Sequence, residues 1–117
     1  NKFEQQEYNN RPICLSYRAY GTDLLKELRE KVNIPLVLHG GSNNSDEEIG
    51  SAVTLGINKI NISSDIKAAY HDKMREVLKD ESLREPGDIQ KPCMEAMKQV
   101  AFHKIRLFQS DGKADLY

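Results

Sequence analysis

The stretch PLVLHGGSNNSDEEIGSAVTLGINKINISSD, residues 35–65, decides the fold of this 117-residue chain. Its apolar run at 36–38 is continuous rather than alternating, which is typical of a parallel strand that is buried on both faces. The residues that follow predict a helix, because Ser45 and Glu48 form a capping box and Gly56 stands where such a helix should end. A strand that leads directly into a helix indicates an α/β fold with a parallel sheet.

The same alternation continues on both sides of this stretch. Strands and helices are predicted at 13–15, 22–32, 59–62, 64–79 and 92–108. Pro92 suits the first turn of the last helix. Two or three strands cannot close such a parallel sheet, so we expect this chain to be incomplete for the architecture that it encodes. The apolar positions predicted to face the core are Leu25, Leu28, Val32, Ile49, Ala52, Val53, Ile66, Tyr70, Met74, Val77, Leu78, Met94, Met97, Ala101, Ile105 and Phe108.

The composition narrows the class of partner. A net charge of −1 and a pI near 6.3 argue against nucleic acid or an anionic membrane as the main partner. No apolar run approaches the about 20 residues of a membrane span, and no signal-peptide pattern opens the chain. Cys14 and Cys93 lie far apart and outside any CxxC motif, so free thiols and a cytoplasmic location are expected.

Small polar residues follow two of the predicted strands, in the segments HGGSNN and NISSD. Ligands of parallel α/β folds gather at the carboxyl ends of strands, and helix N-termini there favour an anion. Gly40 and Gly41 let the backbone approach a ligand closely, while Ser42, Ser63 and Ser64 add hydroxyl donors. Together the two segments predict a phosphate site that is built from two loops.

Each of these residues also has a plainer interpretation. A single histidine at a strand end, here His39, is more often structural than a metal ligand. The two glycines could serve simply to shape a turn, and Asn61 could be a turn former. The serines before the next helix could serve simply as its cap. His71 and His103 lie among charges on amphipathic helices and are predicted to be surface residues. The functional interpretation gains weight because all the candidate residues fall on the same rim of the sheet.

The segments PLVLHGGS, DEEIGSAVTLGINKINISSDIKAAY and MEAMKQVAFHKIRLFQS resemble the C-terminal part of the class II ketose-bisphosphate aldolases, the zinc-dependent fructose- or tagatose-bisphosphate aldolases. The similarity runs from residue 23 to residue 110. It implies a (β/α)₈ TIM barrel, of which this chain would hold about the last three units and an extra C-terminal helix. Residues 1–21 match the family poorly, and residues 22–117 form the expected C-terminal portion.

The resemblance also implies a role for each residue of the two loops. His39 corresponds to a zinc ligand, and Asn61 corresponds to the catalytic asparagine that contacts the bound triose. The family's Asp-Pro-Arg segment falls on Glu85, Pro86 and Gly87, so a glycine stands where an arginine reaches the distal phosphate. The residues implied to bind the phosphate of dihydroxyacetone phosphate are Gly40, Gly41, Ser42, Asn61, Ile62, Ser63 and Ser64.

The implied activity is the reversible, zinc-dependent aldol cleavage of a ketose bisphosphate to dihydroxyacetone phosphate and an aldehyde. The resemblance implies a Zn²⁺ cofactor, leaves room for a monovalent cation, and implies a homo-oligomer, either a dimer or a tetramer. The isolated chain is expected to be inactive, because it has one candidate zinc ligand and lacks the family's early aspartate. Two alternatives stay open, namely an incomplete barrel that serves as a phosphate-binding or assembly module, and another phosphate-binding barrel enzyme.

Overall fold

A computed structural model describes residues 13–16, as backbone, and residues 21–116 of the chain. Three strands alternate with four helices, and short 3-10 turns occur at Gly41–Asn43 and Ala114–Leu116. The predicted α/β alternation is therefore confirmed, while the side chain of Cys14 lies outside the described residues. In chain order the elements are β1 (Ile13–Ser16), α1 (Gly21–Lys31), β2 (Leu36–His39), α2 (Asp46–Thr54), β3 (Lys59–Ile60), α3 (Ser64–Val77) and α4 (Pro86–Leu107).

The three strands form one parallel sheet in the order β1-β2-β3. The central strand β2 pairs its last residue, His39, with Ser16 of β1, and its Leu38 with Ile60 of β3. Strand β3 is shorter than the predicted 59–62 and pairs with β2 through Lys59 and Ile60. Parallel pairing places the carboxyl ends of all three strands on the same rim, as the sequence predicted.

The core lies between β2 and the helices α1 and α2. Leu36 and Leu38 on one face of β2 are fully buried, and Val37 on the opposite face is 5% exposed, which fits the predicted strand that is covered on both faces. The predicted core positions Leu25, Ile49 and Ala52 are buried in the same cluster. Partly buried apolar residues surround this cluster, namely Val32, Val53, Leu55, Ile60, Leu107 and Phe108.

The start of α4 differs from the prediction. The helix begins at Pro86 rather than at Pro92, so Pro92 lies inside it. Proline at the first helical position costs little, because its missing N–H would have no partner there. At Pro92 the helix lacks one backbone hydrogen bond, because proline has no N–H to donate. The expectation of a loop up to Pro92 was therefore wrong by almost two turns.

The buried face of α4 also differs from the predicted one. Met94 and Ile105 are 61% and 42% exposed, whereas Cys93 and Lys104 are the buried residues of the helix. Eleven positions separate Cys93 from Lys104, which puts them on one stripe, about 100° around the helix from Met94. The prediction followed the adjacent apolar stripe, while the buried stripe contains a lysine, a residue that is rarely buried unless it is paired. On α3, Leu78 is likewise exposed just after the last turn rather than inward.

Two further observations concern the state of Cys93 and the search for membrane-spanning helices. Cys93 is a free, buried cysteine, and its Sγ donates to the Ile89 carbonyl oxygen at 3.1 Å. In the part of the chain that the structure describes, none of the helices has the length and apolarity that crossing a membrane requires.

Candidate site at the carboxyl ends of β2 and β3

The two loops after β2 and β3 touch each other through Gly41. The Gly41 amide donates to the Asn61 carbonyl oxygen at 3.1 Å, which extends the pairing of the strands into the loops. A Cβ atom at position 41 would lie 2.7 Å from Cγ2 of Ile60 and 3.1 Å from the Asn61 carbonyl oxygen. Gly40 has a φ of 72°, a left-handed conformation that favours glycine. The close approach of the loops therefore requires glycine at position 41, and the backbone conformation favours it at position 40, whatever the two residues bind.

Ser42 links the first loop to the start of α3. Its Oγ accepts hydrogen bonds from the backbone amides of Ser63 at 3.2 Å and Asp65 at 3.4 Å. Ser63, which precedes the helix, makes no capping hydrogen bond with its own side chain. Ser42 thus caps α3 from across the chain, and its hydroxyl proton remains as a donor toward a further acceptor.

The start of α2 is capped locally, as the sequence predicted. The Ser45 side chain accepts from the Glu48 amide at 3.2 Å, and the Glu48 carboxylate accepts from the Ser45 amide at 2.7 Å. This reciprocal pair confirms the predicted capping box. Asn44 fixes the preceding turn, since its Nδ2 donates to the Gly40 carbonyl oxygen at 3.0 Å.

His39 and Asn61 lie side by side on the rim. The His39 Nδ1 and the Asn61 Nδ2 are 3.1 Å apart, and the His39 side chain is exposed. Two pairings satisfy this geometry: the amide nitrogen donates to an unprotonated Nδ1, or the rotated amide accepts from Nδ1–H with its oxygen. The second pairing leaves the lone pair of the imidazole on Nε2, as a metal ligand requires. In both pairings Asn61 is the partner of Nδ1 and orients the His39 ring.

The described residues supply one candidate metal ligand rather than a complete set. Within 13–16 and 21–116, no group of three or more His, Cys, Asp or Glu side chains could hold a metal ion. His71 and His103 are exposed, as predicted. The His71 ring packs edge-on against Tyr70, and the His103 Nε2 lies 2.6 Å from Oδ2 of Asp46.

A buried lysine beside the site was not predicted. The Nζ of Lys104 lies 3.0 Å from Oδ2 of Asp65 and 3.4 Å from Oδ1 of Asp46, and only 9% of its side chain is exposed. Asp46 and Asp65 belong to the first turns of α2 and α3, so one amine connects both helix starts. The hydrogen bond from His103 holds the pKa of Asp46 below its ordinary value of 3.8, and Lys104 lowers it further. The spacing of Lys104 and Cys93 on one stripe was the available sequence signal.

Comparison with known proteins decides the family. The family model described as "Fructose-bisphosphate aldolase class-II" matches residues 13–113. The chain belongs to the class II fructose-bisphosphate aldolase family. The family model includes both loops of the site and α4, so the resemblance found in the sequence is confirmed.

Individual relatives support the same assignment. The chain is 40% identical over 107 residues to the uncharacterized protein YdjI of Escherichia coli, which covers 92% of the chain and 37% of YdjI. It is 38% identical over 91 residues to a fructose-bisphosphate aldolase of Geobacillus stearothermophilus, covering 77% of the chain and 32% of that protein. It is 33% identical over 94 residues to the D-tagatose-1,6-bisphosphate aldolase subunit GatY of Klebsiella oxytoca, covering 80% of the chain and 33% of GatY.

A solved structure matches the fold as well. The crystal structure of the YdjI aldolase from Escherichia coli K12 superposes with a TM-score of 0.71 at 38% identity, over 79% of this chain and 34% of that one. The chain thus spans about a third of the length of these relatives.

Proposed function

We propose that this chain forms the phosphate-binding part of a class II ketose-bisphosphate aldolase. The reaction is the reversible aldol cleavage of fructose 1,6- or tagatose 1,6-bisphosphate to dihydroxyacetone phosphate and an aldehyde. One observation carries the proposal: Ser42 and Gly41 join the loop after β2 to the loop after β3, on the rim that also presents His39 and Asn61. The names of the relatives support an aldolase, and they differ in the sugar that they act on.

The phosphate of the triose would lie between the two loops. Gly40 and Gly41 bring backbone close to it without side chains, and the Ser42 hydroxyl donates its remaining proton to a phosphate oxygen. The loop of Ile62, Ser63 and Ser64 forms the second wall, at the positive end of α3. Fixing the phosphate in this way holds the reacting carbon of the triose at one place on the rim.

Asn61 and His39 would act on the other end of the triose. The Asn61 amide hydrogen-bonds the triose oxygens on which negative charge develops when the carbon–carbon bond breaks. His39 is suited to be one zinc ligand, with Asn61 as the partner that orients its ring. Bound zinc supplies Lewis acidity that polarises the ketone oxygen. The further ligands and the general base would come from outside the described residues, and a monovalent cation would be the second ion.

The remaining parts of the proposal follow from the family. The parallel sheet would be the last part of a (β/α)₈ barrel, with residues 22–117 as its C-terminal portion and α4 as the extra helix. The protein would act in the cytoplasm as a homodimer or homotetramer. Gly87, in the first turn of α4, replaces the expected arginine, so the contact to the aldehyde-side phosphate is left to another group.

A second candidate function has one observation in its favour. The described residues hold a single candidate metal ligand, His39, beside the two joined loops that are proposed to bind phosphate. A protein with this arrangement alone would bind phosphate or assemble with copies of itself and would not cleave a sugar. The 117-residue chain by itself should behave in this way, with no measurable aldolase activity.

The test uses the whole protein that contains this sequence. Cleavage of the two bisphosphates is measured before and after a zinc chelator, and for the variants Ser42→Ala and Ser51→Ala. We expect the chelator to stop cleavage, added zinc to restore it, and Ser42→Ala to raise the KM about tenfold, the equivalent of one lost hydrogen bond to a charged group. Ser51 is an exposed serine of α2 and serves as the control. Cleavage that resists the chelator, or equal KM values for both variants, would refute the proposal.

A further inference from the structure

Lys104 makes the most unusual contact near the candidate site. Lysine is rarely buried unless it is paired, and here the amine is enclosed between the carboxylates of Asp46 and Asp65. These carboxylates come from two different helices, and Lys104 comes from the last turn of a third one, α4. Side-chain bonds of this kind fix the relative position of the two helix starts.

The two carboxylates create an electrostatic problem for a phosphate site. Acidic residues in the first turn stabilise a helix because they face the positive end of its dipole. The same positive end is what attracts a phosphate, so a carboxylate there competes with the ligand. Asp65 is in direct contact with the proposed phosphate site, because its backbone amide donates to Ser42, the proposed phosphate-binding serine.

We propose that Lys104 is a positioning residue that neutralises and holds back the carboxylates of Asp46 and Asp65, so that the two loops can accept a phosphate dianion. The inference rests on the proposed function, since it concerns the same phosphate site. Lys104 does not touch the ligand and acts through the two aspartates. The ligand class is a phosphomonoester, such as the phosphate end of a triose phosphate.

The two aspartates depend on Lys104 to different degrees. Asp46 has a second cationic partner in His103 when that ring is protonated. Among the described residues, Lys104 is the one cation that forms an ion pair with Asp65. Loss of the Lys104 charge would therefore expose the phosphate mainly to the negative charge of Asp65.

The experiment measures the Kd of inorganic phosphate by titration calorimetry, using the whole protein that contains this sequence. Lys104→Met keeps the unbranched apolar stem and removes the charge. We expect it to raise the Kd about tenfold, because one uncompensated charge acts at short range in a partly buried site. Lys98→Met is the control, since Lys98 is an exposed lysine of the same helix that pairs with Glu95, and it should leave the Kd unchanged.

Two companion variants separate electrostatics from simple damage to the fold. Lys104→Met combined with Asp65→Asn restores the original charge balance and should bring the Kd back to within about threefold of wild type. Lys104→Arg keeps the charge and should also stay close to wild type. A purely structural role would instead make the double variant as weak as Lys104→Met or weaker.

Asp65→Asn alone keeps the test decisive if Lys104→Met does not fold. It removes a negative charge while Lys104 remains paired with Asp46, so phosphate should bind more tightly than to wild type. Unchanged or weaker binding by Asp65→Asn, or an unchanged Kd in a folded Lys104→Met protein, would overturn the inference. The proposed function fails in a different way: wild type would then bind no phosphate, or Ser42→Ala would leave the Kd unchanged.

Discussion

The helices α2 and α3 begin beside the same site but are capped in different ways. Helix α2 is capped by its own neighbours, Ser45 and Glu48, within four residues of sequence. Helix α3 is capped by Ser42, which lies more than twenty residues earlier in the chain. The first cap can form in an isolated segment, whereas the second exists only after β2 and β3 have paired. The start of α3 therefore depends on the assembly of the site, and the start of α2 does not.

The largest effect is expected where the two loops touch, at Gly41. Gly41→Ala places a methyl group 2.7 Å from Cγ2 of Ile60, a β-branched side chain that cannot easily rotate away. We expect a loss of about 2–3 kcal/mol in the free energy of unfolding, measured by urea titration, together with weaker phosphate binding.

Gly50→Ala is the matched control in α2. Its added methyl group would lie 3.8 Å from Leu107 Cδ1, an ordinary contact, and glycine is a poor helix former. This variant should gain about 0.5–1 kcal/mol in stability. Equal effects of the two alanine substitutions would contradict the close approach of the loops at Gly41.

A smaller effect is expected when the two caps are removed one at a time. Ser42→Ala and Ser45→Ala should each cost about 1 kcal/mol, a usual value for the loss of a helix cap. The difference lies in where amide hydrogen exchange becomes faster. Ser45→Ala should accelerate exchange in the first turn of α2 only, while Ser42→Ala should accelerate it at Ser63 and Asp65, a loop away. Faster exchange of α2 amides in Ser42→Ala would show that the two caps are not independent.

The smallest effect concerns pH and the ion pair at the start of α2. The pKa of Asp46 is lowered in the folded chain, mainly by the hydrogen bond from His103, so its carboxylate favours the folded state. This stabilisation is fully present above about pH 3.8, the ordinary value, and is lost as the pH falls through the lowered pKa. Because half of the Asp46 side chain is exposed, we expect its carboxylate to contribute less than about 1 kcal/mol to the free energy of unfolding.

Acid unfolding of the Asp46→Asn variant tests this contribution of the Asp46 carboxylate to stability. The variant should show a shallower loss of stability than wild type below pH 4, with the curves meeting at the lowest pH. A difference between the two proteins that grows as the pH falls would have the wrong sign for a lowered pKa.

The sequence predicted the parts of the fold that depend on neighbouring residues. The capping box, the buried strand β2 and the rim shared by His39 and Asn61 follow from local patterns and from the geometry of parallel strands. The cap from Ser42 could not be read from the sequence, because any of several serines was a candidate and local capping is the commoner choice.

The two errors on α4 have different physical origins. The predicted face followed the apolar residues of the helix, whereas the stripe that is buried, through Cys93 and Lys104, includes a charged residue. Two aspartates from other helices pair with the Lys104 amine and offset the cost of its burial. The sequence does not show that these aspartates lie beside Lys104, because the folded sheet brings the three helices together. The helix was predicted to start at Pro92 because the segment before it contains Pro86 and Gly87, and both residue types are unfavourable inside a helix.

The most direct test of the account is amide hydrogen exchange of the whole protein with and without inorganic phosphate, followed at Gly41, Ser42, Ser63 and Asp65. If the two loops form one phosphate site, phosphate should slow exchange in both loops together, and Ser42→Ala should abolish this protection while Ser45→Ala keeps it. Protection of only one loop, or protection that survives Ser42→Ala, would contradict the central claim.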